Sequence, residues 1–175
     1  MLYHYEIKTP SLSKIEINEI WYYNCCLYSS FHLSLKTTDK LPLFEDLILY
    51  LGKENLYSYL IDFIKNFDKI KSFYINFNKN LRDYLDSIKI AIFLDNENDT
   101  CELLTVIDMS KVNLEEIKNN NYNSLKNNFS NEINENIICI LQQEDHFEPI
   151  KILSKIEGES NNKIKDFLNS EDRIE

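Results

Sequence analysis

Ile137-Ile138-Cys139-Ile140-Leu141-Gln142-Gln143-Glu144-Asp145-His146-Phe147-Glu148-Pro149-Ile150-Lys151-Ile152-Leu153 reads as two apolar runs hinged on an acidic turn. The first run is short and rich in β-branched residues, the length and composition of a buried strand and not of a helix. The second opens after Pro149, so the segment predicts paired strands with His146 at the turn between them. In extended chain, residues i and i+2 share a face. Either Glu144 or Glu148 therefore stands on the same side as His146 and is able to orient its ring.

Working outward, Lys89-Ile90-Ala91-Ile92-Phe93-Leu94 is a second buried-strand run. Asp95-Asn96-Glu97-Asn98-Asp99 closes it without glycine, and residues 101–107 return as its antiparallel partner. With two glycines in 175 residues, turns that need positive φ fall to Asn and Asp. Further upstream the period changes. Leu27, Phe31 and Leu35 recur every four residues and predict a helix from Cys26. A second helix runs from about Pro42 through Leu43, Leu47 and Leu51 to Gly52, and a third from about Lys53 to Asn66.

Phe73, Ile75 and Phe77 alternate and predict a strand over 72–77, followed by a short helix through Leu81, Tyr84, Leu85 and Ile88. Residues 3–8 alternate as an edge strand, while 15–17 and 20–23 stay open between strand and loop. Residues 113–135 are polar and Asn-dense, helical in places. The expected fold class is α+β, with N-terminal helices packed on a mostly antiparallel C-terminal sheet. A single domain is expected over residues 1–156, with 157–175 a charged, mobile tail.

Composition excludes several function classes. A formal charge of −10 with no local Lys/Arg stripe speaks against nucleic acid and for a protein partner. No apolar run reaches membrane-spanning length. The first residues, Met1-Leu2-Tyr3-His4-Tyr5-Glu6, lack the pattern of a secretory signal. Four cysteines without CxxC spacing read as thiols of a reducing compartment, so a cytoplasmic protein is expected. Three scattered histidines give no ligand set, and neither a metal nor a cofactor is expected.

The chemistry-bearing pair is a thiol and the turn histidine. Cys26 stands where the first helix begins, and a thiolate there is stabilised by unpaired N–H groups and the helix dipole. Cys25, its neighbour, is the second candidate nucleophile. His146 is the candidate base, with Glu148 or Glu144 to orient it. Each residue alone also has a plain structural reading: cysteine is among the most buried residue types, and a histidine among carboxylates suits any acidic turn. Cys101 and Cys139 fall inside strand runs and read as core.

Cys26-Leu27-Tyr28-Ser29-Ser30 resembles the start of the nucleophile helix in ovarian-tumour (OTU) type cysteine peptidases, a papain-like group. His146-Phe147-Glu148-Pro149-Ile150 is similar to that family's histidine-aromatic-acid segment, 120 residues further on. Similar strand and Phe-Glu-Pro-Ile segments occur in proteins of some large DNA viruses. The resemblance touches two short segments. It implies a papain-like fold, an activity on peptide or isopeptide bonds of ubiquitin-like conjugates, Cys26 as nucleophile, His146 as base and Glu148 as orienting acid.

The family's Asp-Gly-Asn before its cysteine is replaced here by Tyr23-Asn24-Cys25, and its Asn-Cys pair also aligns with Asn24-Cys25. An inactive relative is therefore one expectation. The alternative from a different class is a non-catalytic interaction or structural protein, binding through an acidic, aromatic-rich surface that includes Trp21-Tyr22-Tyr23.

Overall fold

The computed structural model describes residues 2–127, 129–130 and 137–156. The expected tail at 157–175 lies outside them. In chain order the strands are β1 (Leu2–Glu6), β2 (Ile15–Ile17), β3 (Ile20–Tyr22), β4 (Lys89–Asp95), β5 (Thr100–Asp108), β6 (Phe129–Ser130), β7 (Ile138–Gln143), β8 (His146–Pro149) and β9 (Lys151–Ile156). The helices are α1 (Cys26–Ser34), α2 (Phe44–Leu51), α3 (Leu60–Lys65), α4 (Phe67–Phe77), α5 (Arg82–Asp86), α6 (Leu114–Lys118) and α7 (Asn123–Asn127). The class is α+β, as expected.

The main sheet runs β8-β7-β4-β5-β1-β9, with β6 pairing on β5, and β2 with β3 forms a separate hairpin. Its pairings are antiparallel except β4 with β7. The two ends of the six-strand path, β8 and β9, are joined through the single residue Ile150. Laid flat at roughly 4.8 Å per strand, those ends would sit about 24 Å apart. One residue cannot bridge that gap, so the sheet curls until its ends approach each other.

Two apolar layers result. Ile90, Ile92, Leu104, Ile138 and Ile140 face the helices, while Ala91, Phe93, Cys101, Leu103 and Leu141 gather with Tyr3 and Tyr5 on the opposite face. The helical layer centres on Phe31, whose ring meets those of Phe63, Phe67 and Tyr74 at 5.6–6.0 Å. Turns follow the glycine shortage: Asn18, Asn24, Asn98, Asp99 and Asn120 take positive φ, joined by Glu19 and Glu144.

Four local expectations change. The apolar run after Pro149 does not return on β7: His146–Pro149 form that partner strand, β8, so His146 begins a strand, and the later run forms β9 on β1. Residues 72–77 belong to helix α4: Phe67, Ile70 and Tyr74 are buried at helical spacing, and the alternating Phe77 is exposed. The expected helix over 53–66 is broken. Gly52 at φ +76 starts a one-turn 3₁₀ segment over Lys53–Asn55, and α3 begins only at Leu60. The cause is tertiary, because the Tyr28 hydroxyl donates to the Asn55 carbonyl at 3.0 Å and accepts the Tyr57 N–H at 2.9 Å. A buried phenol thus satisfies backbone groups that a continuous helix would have paired internally. β1, finally, is not an edge strand; it lies between β5 and β9.

Candidate functional site

β7 and β8 form a hairpin in which Gln143 faces His146, leaving Glu144 and Asp145 as a two-residue turn. Glu144 adopts φ +54 at the first central position, where tight hairpins of the primed type call for a positive value. The turn sets the register. His146 and Glu148 emerge on one face, and His146 Nε2 lies 2.5 Å from Glu148 Oε1. A carboxylate only accepts, so Nε2 carries the hydrogen, and in the neutral ring the lone pair falls on Nδ1. Nδ1 faces the Ser13 hydroxyl at 3.4 Å, a long contact in which that hydroxyl donates.

The carboxylate of Glu148 is buried, and its second oxygen is occupied as well. Oε2 accepts the Ser11 N–H at 2.8 Å. Glu144, the other residue proposed to orient the ring, is exposed on the turn, and its carbonyl accepts from the Gln142 amide at 3.3 Å. Of the two carboxylates, Glu148 is the one that meets the imidazole.

Cys26 is the first residue of α1, and α1 packs along β8 at the free end of the sheet. Its Sγ sits 3.9 Å from the Asp145 carbonyl oxygen, within the turn that carries His146. Burial pushes the Cys26 thiol above its ordinary range. The N–H groups of Phe147, Leu27 and Cys26 itself pull the other way, and the Glu148 charge adds to the rise. No hydrogen bond joins Cys26 Sγ to the His146 ring among the described residues. Cys26 and His146 are neighbours across the helix–strand contact, with the thiol in its neutral form.

Cys25 points elsewhere. It is fully buried, its Sγ donates to the carbonyls of Tyr22 at 3.4 Å and Tyr23 at 3.6 Å, and burial pushes its thiol up to about 11. Cys101 and Cys139 lie in the sheet core, where burial raises them to about 12 and about 11. Asn24, just before the cysteine pair, takes φ +59, and its side-chain amide donates to the Leu56 carbonyl at 3.5 Å.

Sequence reading missed residues 11–13. Ser11 donates its N–H to Glu148 and its hydroxyl to the Phe147 carbonyl at 2.6 Å, and Ser13 reaches the ring. Two serines in a polar loop carry no periodic signal, and their partners lie more than 130 residues away. Leu12, Ile20, Trp21 and Tyr23 are exposed, the indole capped by Lys14 at 5.1 Å from its ring centre, while Tyr22 between them is buried.

A cleft of about 260 Å³ lined by Lys8, Ser34, Lys36, Cys139 and Lys151 includes none of Cys26, His146 and Glu148. Among the described residues no group of three or more His, Cys, Asp or Glu is placed to hold a metal ion. No described helix is long and apolar enough to cross a membrane. Compared with protein-family models, with curated proteins and with solved structures, the chain matches none.

Proposed function

We propose that the chain is a thiol hydrolase of the OTU-like, papain-like kind, with Cys26 as nucleophile, His146 as general base and Glu148 as the residue that orients the ring. The observation that carries this reading is the Glu148–His146 pair, at 2.5 Å, facing the helix start that bears Cys26. With Nε2–H held by the carboxylate, Nδ1 is the atom available to take the thiol proton. The thiolate then attacks a peptide or isopeptide carbonyl, His146 returns the proton to the leaving amine, and water releases the acyl group.

Substrate would displace the Ser13 hydroxyl from Nδ1 and close the sulfur–ring gap, since such contacts are often long before substrate binds. Asn24 stands at the glycine of the resembled pattern and takes φ +59, a conformation that glycine adopts readily. The substrate class is a ubiquitin-like conjugate, by resemblance, and four free thiols suit a reducing, cytoplasmic setting.

The test uses ubiquitin bearing a C-terminal vinyl methyl ester and a fluorogenic ubiquitin amide. The expected result is a covalent adduct at Cys26 and turnover abolished by Cys26→Ala, with His146→Ala lowering the rate by about 10²-fold or more. Equal slow modification of all four cysteines, without turnover, would overturn it.

A second reading, a non-catalytic binding protein that keeps the fold, is favoured by the raised Cys26 thiol and by exposed Trp21 and Tyr23. It predicts no adduct, together with a protein complex that Trp21→Ala weakens.

A further inference from the structure

Residues 10–14 have no regular secondary structure, yet they cross between the two halves of the candidate site. On the strand side, Ser11 N–H donates to Glu148 Oε2 at 2.8 Å and Ser11 Oγ donates to the Phe147 carbonyl at 2.6 Å. On the helix side, Leu12 N–H donates to Ser29 Oγ on α1 at 2.9 Å, and the Ser13 carbonyl accepts the Cys25 N–H at 2.9 Å. Ser29 is 2% exposed, so its hydroxyl is enclosed where the loop meets α1. The Ser13 hydroxyl closes the circuit at His146 Nδ1.

We propose that Ser11 is a positioning residue for His146, acting through Glu148, and that residues 10–14 form a strap, anchored on Ser29, that registers the histidine strand against the cysteine helix. A carboxylate held at one oxygen is free to turn about its last side-chain torsion, taking the ring's hydrogen bond with it. Ser11 N–H removes that freedom with a charge-assisted bond to the second oxygen. The Ser11 hydroxyl meanwhile pins the backbone between His146 and Glu148, so ring and acid keep one spacing. β8 ends the sheet path, and an edge strand without such a cover would leave backbone groups unpaired. The positional claim stands by itself. Its effect on turnover rests on the thiol-hydrolase reading.

The test uses the full chain labelled with ¹⁵N-histidine, with the His146 ring signals assigned by a His146→Gln variant. Ser11→Thr keeps both donors, Ser11→Ala keeps the N–H alone, Ser11→Pro removes both, and Ser29→Ala removes the anchor. In the parent protein the His146 ring should show one tautomer with a slowly exchanging Nε2–H. That signal should weaken through Ser11→Ala and Ser29→Ala and vanish in Ser11→Pro, while Ser11→Thr restores it. The pH profile of Cys26 alkylation should change in the same order, with the rate altered about tenfold.

Ring signals and alkylation profiles identical to the parent in folded Ser11→Ala and Ser29→Ala proteins would overturn the proposal, whether or not Ser11→Pro folds. Changed ring signals in a protein without turnover would uphold the strap and sink the hydrolase. Unchanged ring signals beside Cys26-dependent turnover would do the reverse.

Discussion

The carboxylate of Glu148 lies 2.5 Å from Nε2 of His146 and is otherwise enclosed, so one buried acid fixes the orientation of one half-exposed ring. Glu148→Ala should therefore do two separable things. It should lower Cys26-dependent turnover by about 10²-fold or more, because the ring loses the partner that selects its tautomer. It should also cost about 1–3 kcal/mol of stability in urea unfolding, because Ser11 N–H loses its acceptor. Loss of stability with full turnover would remove Glu148 from the mechanism.

Thiol reactivity should separate by environment. All four thiols are buried, but three backbone N–H groups offset the rise at Cys26. Cys25, Cys101 and Cys139 are raised to about 11, about 12 and about 11, so iodoacetamide at pH 8 should label Cys26 first. The free-protein rate should climb with pH above the ordinary thiol range, because burial keeps Cys26 neutral. Quantitative mass spectrometry of each cysteine reads the order directly. Labelling of Cys25 ahead of Cys26 would move the nucleophile.

The same three thiols make stability fall in alkali. Each binds its proton more tightly folded than unfolded, so the folded state holds more protons from about pH 9 upward. Their contribution is complete below the unfolded value of 9.0 and is lost as pH rises through about 11 to 12. Urea midpoints at pH 8 and pH 10.5 should differ, and a Cys139→Ala protein should show a smaller difference.

His32 gives the acid counterpart. Its Nδ1 bonds the Tyr74 hydroxyl at 2.8 Å, and burial lowers its pKa from 6.5. The unfolded chain therefore takes up the proton first, so stability is whole above about pH 6.5 and declines as pH falls through the lowered value. Tyr74→Phe should cost about 1 kcal/mol at neutral pH by orphaning the imidazole. His32→Gln should flatten the acid slope in the same melts.

Asn24 tests the loop before the cysteines. At φ +59, Asn24→Gly should be tolerated within about 1 kcal/mol, while Asn24→Val should destabilise by more and displace the start of α1. Thermal melts of the two variants decide it. Equal behaviour would mean that the loop relaxes freely.

Much of the site was legible because its signals are local. The apolar run over 137–141 announces a strand that ends in an acidic turn, although its partner is His146–Pro149 and not the run after Pro149. The i, i+2 rule offers Glu148 or Glu144 to His146. The choice between them came from the backbone, which turns Glu144 outward at φ +54 and folds Glu148 under the strap. The choice between Cys25 and Cys26 was likewise tertiary: adjacent residues at a helix start point in different directions, one toward Tyr22 and Tyr23 and the other toward the His146 turn. Among the helices, residues 72–77 misled because alternation over six residues fits part of a helix whose buried positions begin earlier, at Phe67.

By itself the chain's pattern determined the α+β class, the β4–β5 hairpin, the helices α1 and α2 and the use of Asn and Asp for positive-φ turns. All of these depend on residues close in sequence, where period and turn chemistry suffice. Tertiary structure alone decided the curl that brings β9 beside β1, the break that Tyr28 imposes near residue 56 and the serine strap across the site. Each of those joins groups distant in sequence by single hydrogen bonds or pairings, and such contacts leave no period in a chain for a reader to find.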